Sequence, residues 1–161
     1  RDDAGAWLPR ACGLLADAGC EPVIAVLGAG ADEARRLIPK GAHAVVAERW
    51  SEGIGTSLHV ALEAARAVHA RAALITLVDL PDLAPEAVAR VAERWTGDEK
   101  VLARAVDDGT PGHPVLIGAG QFAAVMATVG GARGAAHFLS AHHAEEVDCT
   151  GLGASADVDT R

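Results

Sequence analysis

Five short stretches carry residue types whose spacing could do chemistry. Asp79 closes the apolar run Ala72-Ala-Leu-Ile-Thr-Leu-Val-Asp-Leu-Pro81. That run is too short to cross a bilayer and reads as a strand. A strand apolar on both faces belongs in the middle of a parallel sheet covered by helices. An acid at its carboxyl end then points into the crevice where open α/β sheets bind ligands. A plain turn acid explains Asp-Leu-Pro equally well. Asp157 and Asp159, at the far end of the chain, are the other acids near a strand end. Carboxylates with few further ligands suit Mg²⁺, which keeps its waters and takes oxygens from substrate phosphates; a solvated acidic tail is the alternative.

The remaining three stretches are loops. Gly53-Ile-Gly-Thr-Ser-Leu58 joins glycines to a helix start, so backbone N–H groups around Gly55, Thr56 and Ser57 could receive an anion or the edge of a base. A simple β–α turn has the same composition. His113, held between Gly112 and Pro114, could reach a ligand, although a lone loop histidine is more often structural or solvated. Gly131-Ala-Arg-Gly134 could offer Arg133 to a phosphate through paired N–H donors, or simply leave it on the surface.

Alternating strands and helices must position these loops. Trp7, Ala11, Leu14, Leu15 and Ala18 recur at helical spacing before Gly19, and Pro22–Leu27 reads as a strand ending in Gly28-Ala-Gly30. A short helix over 31–37 and a strand over 44–47 follow. Leu58, Ala61, Leu62, Ala65 and Val68 then form one apolar helical stripe beginning at Thr56-Ser57. Pro85 opens a helix carrying Val88, Val91, Ala92 and Trp95. Strands are expected over 100–105, in 112–117 and over 145–149, with helices over 121–128 and 134–140. Such alternation is the mark of βαβ units in a single α/β domain with a parallel sheet.

Composition narrows the function. The chain has 161 residues, half of them apolar, and a formal charge of −8. The charge opposes a nucleic-acid or anionic-membrane surface, and two Phe, three Trp and no Tyr leave little for base stacking. Three cysteines without a C-x-x-C pair fit a reducing cytoplasm, and the adjacent His142-His143 pair does not make a tetrahedral zinc set.

Taken together, the motifs resemble a family. Glu52-Gly-Ile-Gly-Thr-Ser-Leu58, Leu77-Val-Asp-Leu-Pro81, Gly112-His-Pro-Val-Leu116, Gly131-Ala-Arg-Gly-Ala135 and Asp157-Val-Asp-Thr160 occur in the order of the MobA-like nucleotidyltransferases, and the nearest branch is similar to the molybdenum cofactor cytidylyltransferases. The resemblance implies a three-layer Rossmann-like nucleotidyltransferase with a mostly parallel sheet, over one domain spanning 1–161. It implies CMP transfer from CTP (or GMP from GTP) to the phosphate of a molybdopterin-type cofactor, with pyrophosphate leaving. Asp79 and Asp159, with Asp157 as a substitute, would hold Mg²⁺. Gly55, Thr56 and Ser57 would line the nucleotide pocket, and Gly112, His113, Gly131 and Arg133 the acceptor side. A molybdoenzyme apoprotein is an implied partner, nucleic acid and membrane are not, and the expected compartment is the cytoplasm.

The chain departs from the family pattern in two places. The family's opening strand and glycine-rich loop are not in this sequence, and Arg1-Asp-Asp-Ala-Gly5 resembles the segment just after them. The resemblance therefore implies truncation at the N-terminus and a central strand ahead of Arg1, whose loss would expose apolar edges. The second departure is Ala132 where relatives often carry Asp, and Ala136 in place of an Arg. That change points to a different acceptor or to a chain that keeps the fold without the transfer. Two other readings stand beside the first. One is an NAD(P)H-dependent oxidoreductase of the nicotine blue oxidoreductase type, against which Gly28-Ala-Gly30 lacks the third glycine of a dinucleotide loop. The other is a non-catalytic molybdenum cofactor binding or insertion protein.

Overall fold

The computed structural model describes residues 2–155, with the backbone alone for 2–5; Asp157 and Asp159 lie outside the described residues. Helices and strands alternate through most of it, as the periodicities predict. The helices are α1 (Asp2–Asp17), α2 (Ala31–Arg35), α3 (Ile54–Ala67), α4 (Pro85–Ala92), α5 (Phe122–Thr128) and α6 (Ala136–Ala141). The strands are β1 (Val23–Leu27), β2 (Ala42–Val46), β3 (Ala72–Ile75), β4 (Leu102–Asp107), β5 (Thr110–Gly118) and β6 (Glu145–Asp148). No described helix is long and apolar enough to cross a membrane.

The strands form two sheets. β1 and β2 pair in parallel, and the larger sheet has the order β3-β5-β4-β6. In that sheet β5 runs against both β3 and β4, whereas β6 runs parallel to β4. Three of its four strands therefore share a direction, and β5 alone is reversed because the tight turn at Asp108-Gly109 folds it back on β4 as a hairpin.

β3 differs most from the sequence expectation. The apolar run to Pro81 predicts a long, doubly covered central strand, yet only Ala72–Ile75 pair, and all four are merely half-buried. The physical reason is that among the described residues β3 pairs on one side alone, with β5. Among the described residues β1 likewise pairs with β2 alone. Between these two edges runs an apolar cleft of about 1060 Å³, lined by every residue of β1 and of β3.

Three apolar clusters hold the layers. Leu80, Leu83, Ala87, Val88 and Val91 pack with Leu14 of α1 against Ala103, Ala105, Leu116 and Val147 on one face of the large sheet. Leu62 and Ala65 of α3 join Phe122, Val125, Phe138 and Leu139 over Leu102, Val115 and Ile117 on the other. Leu8 and Cys12 of α1 cover Val23, Ala25 and Leu27 of β1. A helix layer thus lies on each face of the sheet, the three-layer arrangement.

Candidate active site

The site lies where the loops following β1, β2 and β3 meet the first residues of β5. α3 starts two residues earlier than the sequence predicts, at Ile54, with Gly53 as its cap at φ 129°. Both glycines of this loop are there for close approach. A Cβ on Gly53 would fall 2.3 Å from the Gly131 carbonyl oxygen, and one on Gly55 2.1 Å from that of Arg133 and 2.6 Å from the Gly130 nitrogen. The Gly55 N–H donates to the Gly131 carbonyl at 2.9 Å. Gly130 and Arg133 exchange two backbone hydrogen bonds, closing their turn against this loop.

The structure thus joins two stretches the sequence read separately, the start of α3 and 131–134. It also changes what Gly55 does, since its N–H already has a protein acceptor. Ser57 lines the apolar cleft, as does Gly134, while Arg133 is exposed beside them.

Asp79 is half-buried in the turn after β3. Its flanks are pinned from two directions. Arg10 of α1 donates to the Leu83 carbonyl at 2.6 Å and more weakly to that of Leu80 at 3.5 Å. The Ala84 N–H donates to the Leu152 carbonyl at 2.9 Å, and a Cβ on Gly153 would meet the Asp82 carbonyl oxygen at 2.2 Å. Nothing in the sequence singled out Arg10; only the folded chain brings α1 to a loop some seventy residues away. An Arg10→Met variant should cost about 2 kcal/mol of stability. Paired thermal melts of the two proteins would show it.

Gly112 and His113 stand on the inner side of this turn. The His113 N–H donates to the Ala154 carbonyl at 2.9 Å, and a Cβ on Gly112 would fall 2.2 Å from that same oxygen. A small cavity of about 190 Å³ is walled by Leu77, Leu80, Gly112, His113, Ala154 and Ser155, so the Asp79 turn and the His113 strand share a wall with the described end of the chain. Asp107 secures that end, accepting from the Gly151 N–H at 3.2 Å and the Ser155 hydroxyl at 3.1 Å.

Close by, the Thr150 hydroxyl and N–H both donate to Asp148, at 2.6 and 3.0 Å, and hold its carboxyl below the usual range. A depressed carboxyl contributes stability above its unfolded pKa, and that contribution is lost as pH falls through the folded one. Thr150→Val should therefore narrow the stability gap between pH 7 and pH 3, measured by chemical denaturation at each pH.

Two polar groups that the sequence did not mark are buried at the cleft wall. Arg104 on β4 is 6% exposed, with one amino group donating to the Ser140 hydroxyl at 3.1 Å and lying 3.8 Å from Glu146. Its Nε, and the hydroxyl of Thr76 just beyond β3, have no hydrogen-bond partner among the described residues. Among the described residues no three His, Cys, Asp or Glu side chains gather as a metal site. The described part offers Asp79 as a single carboxylate, which fits Mg²⁺ only in its common form, with waters and substrate phosphates completing the shell.

This geometry can be set beside known proteins. A family model described as the MobA-like NTP transferase domain matches residues 3–147. The chain belongs to the MobA-like NTP transferase family. It is 34% identical over 151 residues to a nicotine blue oxidoreductase of Paenarthrobacter nicotinovorans, covering 88% of this chain and 72% of that protein. The crystal structure of Rv0371c from Mycobacterium tuberculosis H37Rv superposes with a TM-score of 0.72 at 26% identity, over 98% of this chain and 78% of that one. A manganese complex of Rv0371c gives 0.73 at 23% identity, over 98% and 81%. The α/β nucleotidyltransferase fold expected from the motifs is the fold observed.

Proposed function

We propose that this MobA-like protein is a Mg²⁺-dependent cytidylyltransferase that transfers CMP from CTP to the terminal phosphate of a molybdopterin-type cofactor, with pyrophosphate leaving. The observation that carries the reading is convergence. Leu77 and Leu80 on either side of Asp79, the Gly112-His113 stretch of β5 and the described chain end at Ser155 share one wall, and Ser57 and Gly134 line the larger cleft that His113 also borders. These are the stretches the chemistry needs, and they come from well-separated parts of the sequence.

The acceptor's phosphate oxygen attacks the α-phosphate of CTP, forming the new P–O bond as the bond to pyrophosphate breaks. Such a reaction asks for alignment and charge neutralisation and needs no covalent protein intermediate. Asp79, with Asp159 or Asp157 following Ser155 in sequence, would hold the metal, which supplies neutralising charge between the reacting phosphates. Thr56 and Ser57 would bound the nucleotide. Gly55 shapes that pocket through its contact with the Gly130–Arg133 turn. Arg133 and His113 would face the acceptor, with Gly112 and Gly131 allowing the backbone to come close. Manganese in the Rv0371c complex is consistent with a divalent ion on this fold.

A second reading has its own support, the 34% identity to a nicotine blue oxidoreductase. Against it, Gly28-Ala-Gly30 leads into a helix of only five residues, too short to carry a dinucleotide diphosphate in the usual way. The two readings separate in one set of measurements on full-length protein with Mg²⁺. Pyrophosphate release with CTP above GTP, and no change in NADH fluorescence on titration, supports the transferase. NADH binding without pyrophosphate from either nucleotide supports the reductase and ends the first reading.

A further inference from the structure

Arg104 is a buried cation that its described partners satisfy only in part. It stands in the middle of β4, 6% exposed, between Ala103 and Ala105 along the strand and opposite Val115 across the ladder. Taking a guanidinium out of water is costly unless charge and hydrogen bonds replace what water supplied. Ser140 and Glu146 both stand on one nitrogen, Nη2, at 3.1 and 3.8 Å. The Glu146 side chain is 59% exposed, so its charge is largely screened. Nε has no hydrogen-bond partner among the described residues. Nε and Nη2 together form an edge of the guanidinium that grips two oxygens at once. Arg49 uses that edge in this chain, donating from Nε and Nη2 to the two carboxylate oxygens of Glu52 at 2.7 and 2.9 Å. On Arg104 the equivalent edge is buried and incompletely filled.

The surroundings indicate what completes it. Arg104 lines the large cleft, and so do Val115, Ala136 and Leu139. Ala136 and Ser140 are four residues apart on α6 and share one of its faces. The helix that orients Nη2 therefore also walls the cleft beside it. Among the described residues lining the cleft the one acid is Glu21, just ahead of β1, so little there would repel an anion. We propose that Arg104 binds an oxyanion, a carboxylate or a phosphate, carried by a small molecule whose apolar body rests against Val115, Ala136 and Leu139. One oxygen accepts from Nε and a second from the Nη2 hydrogen that Ser140 does not take. Glu146 approaches the same nitrogen and competes with the ligand. The plain alternative is an internal ion pair, in which Glu146 swings in and closes the fork itself. Binding of this kind needs neither metal nor nucleotide, so it stands or falls apart from the transfer reaction.

Phenyl phosphate and benzoate serve as probes, with benzyl alcohol as the uncharged control. In ¹⁵N-labelled full-length protein each ordered arginine gives a side-chain Nε–H signal, and loss of one in Arg104→Lys assigns the signal of Arg104. At least one anion should shift that signal saturably and slow its exchange with water, whereas benzyl alcohol should not. The tighter of the two anions identifies the group the site takes. Arg104→Met should weaken that anion about tenfold or more, while Tm stays level or rises because a buried charge has been replaced by an apolar side chain. Glu146→Gln should tighten binding severalfold by removing the competing acid. An Arg104 signal that neither anion moves overturns the proposal. So does an Arg104→Met protein that melts lower yet binds as the parent does, or binding that weakens in Glu146→Gln. With no CTP or Mg²⁺ present, an inactive protein whose Arg104 takes the anion counts against the transferase reading alone. An active protein whose Arg104 signal never moves counts against this site alone.

Discussion

Asp79→Ala should abolish metal-dependent turnover, a loss of about a thousandfold or more in kcat, while moving Tm by no more than about 2 °C. The separation follows from where the residue sits. It lies half-buried in a turn whose shape is fixed by its neighbours, through Arg10 on one side and Leu152 on the other. Removing the carboxylate leaves those braces in place and takes away the single carboxylate proposed as a ligand among the described residues. Steady-state kinetics over a Mg²⁺ series, with melts of both proteins, checks both halves. A variant that melts with the parent and keeps its metal-dependent rate would remove Asp79 from the chemistry.

The largest expected effect on stability is at Gly55. Gly55→Ala should destabilise the protein by about 3 kcal/mol, a fall in Tm of about 10 °C. Propensity argues the other way, since alanine in a helix is favoured over glycine by about 1 kcal/mol. Sterics win because the added carbon would lie 2.1 Å from the Arg133 oxygen and 2.6 Å from the Gly130 nitrogen, both main-chain atoms that cannot rotate aside. The start of α3 and the 130–133 turn would have to part. Gly13, inside α1, is the internal control, because a Cβ there would meet nothing within 4 Å. Gly13→Ala therefore brings no clash, and the propensity term alone should raise stability by up to about 1 kcal/mol. Opposite signs at the two helical glycines, read from denaturant midpoints at equal slope, would establish the interlock.

The sequence revealed most where a signal is local. Helical stripes in α3 and α4, and the apolar runs of β1 and β4, depend on residues a few positions apart, and each formed the expected element. The motifs at Asp79 and at Gly112-His113 were found from residue type and position at strand ends, and they share a cavity wall. What was not legible depends on partners distant in sequence. The apolar run at 72–81 reads as a central strand, but whether β3 is central depends on which strand lies at its second edge. The reversed direction of β5 comes from a hairpin that an apolar run alone does not distinguish from a crossover. The Gly53–Gly55 loop reads equally as a ligand loop or a plain β–α turn, and its close packing against the 130–133 turn depends on a segment far off in sequence. Arg10 and Arg104 carried no pattern at all, because their significance is the loop one braces and the burial of the other.

In the proposed reaction, one phosphate oxygen of the acceptor displaces pyrophosphate from CTP beside the Asp79 turn and the Gly112-His113 stretch, whose neighbours share a cavity wall. Its most direct test uses full-length protein, CTP labelled at the α-phosphate, Mg²⁺ and molybdenum-loaded pterin cofactor, with products resolved by mass. The account predicts a cytidine dinucleotide of the pterin and pyrophosphate in equal amounts, both absent when Mg²⁺ is chelated or Asp79 is alanine. Intact CTP after prolonged incubation, with the cofactor bound but unchanged, would contradict it.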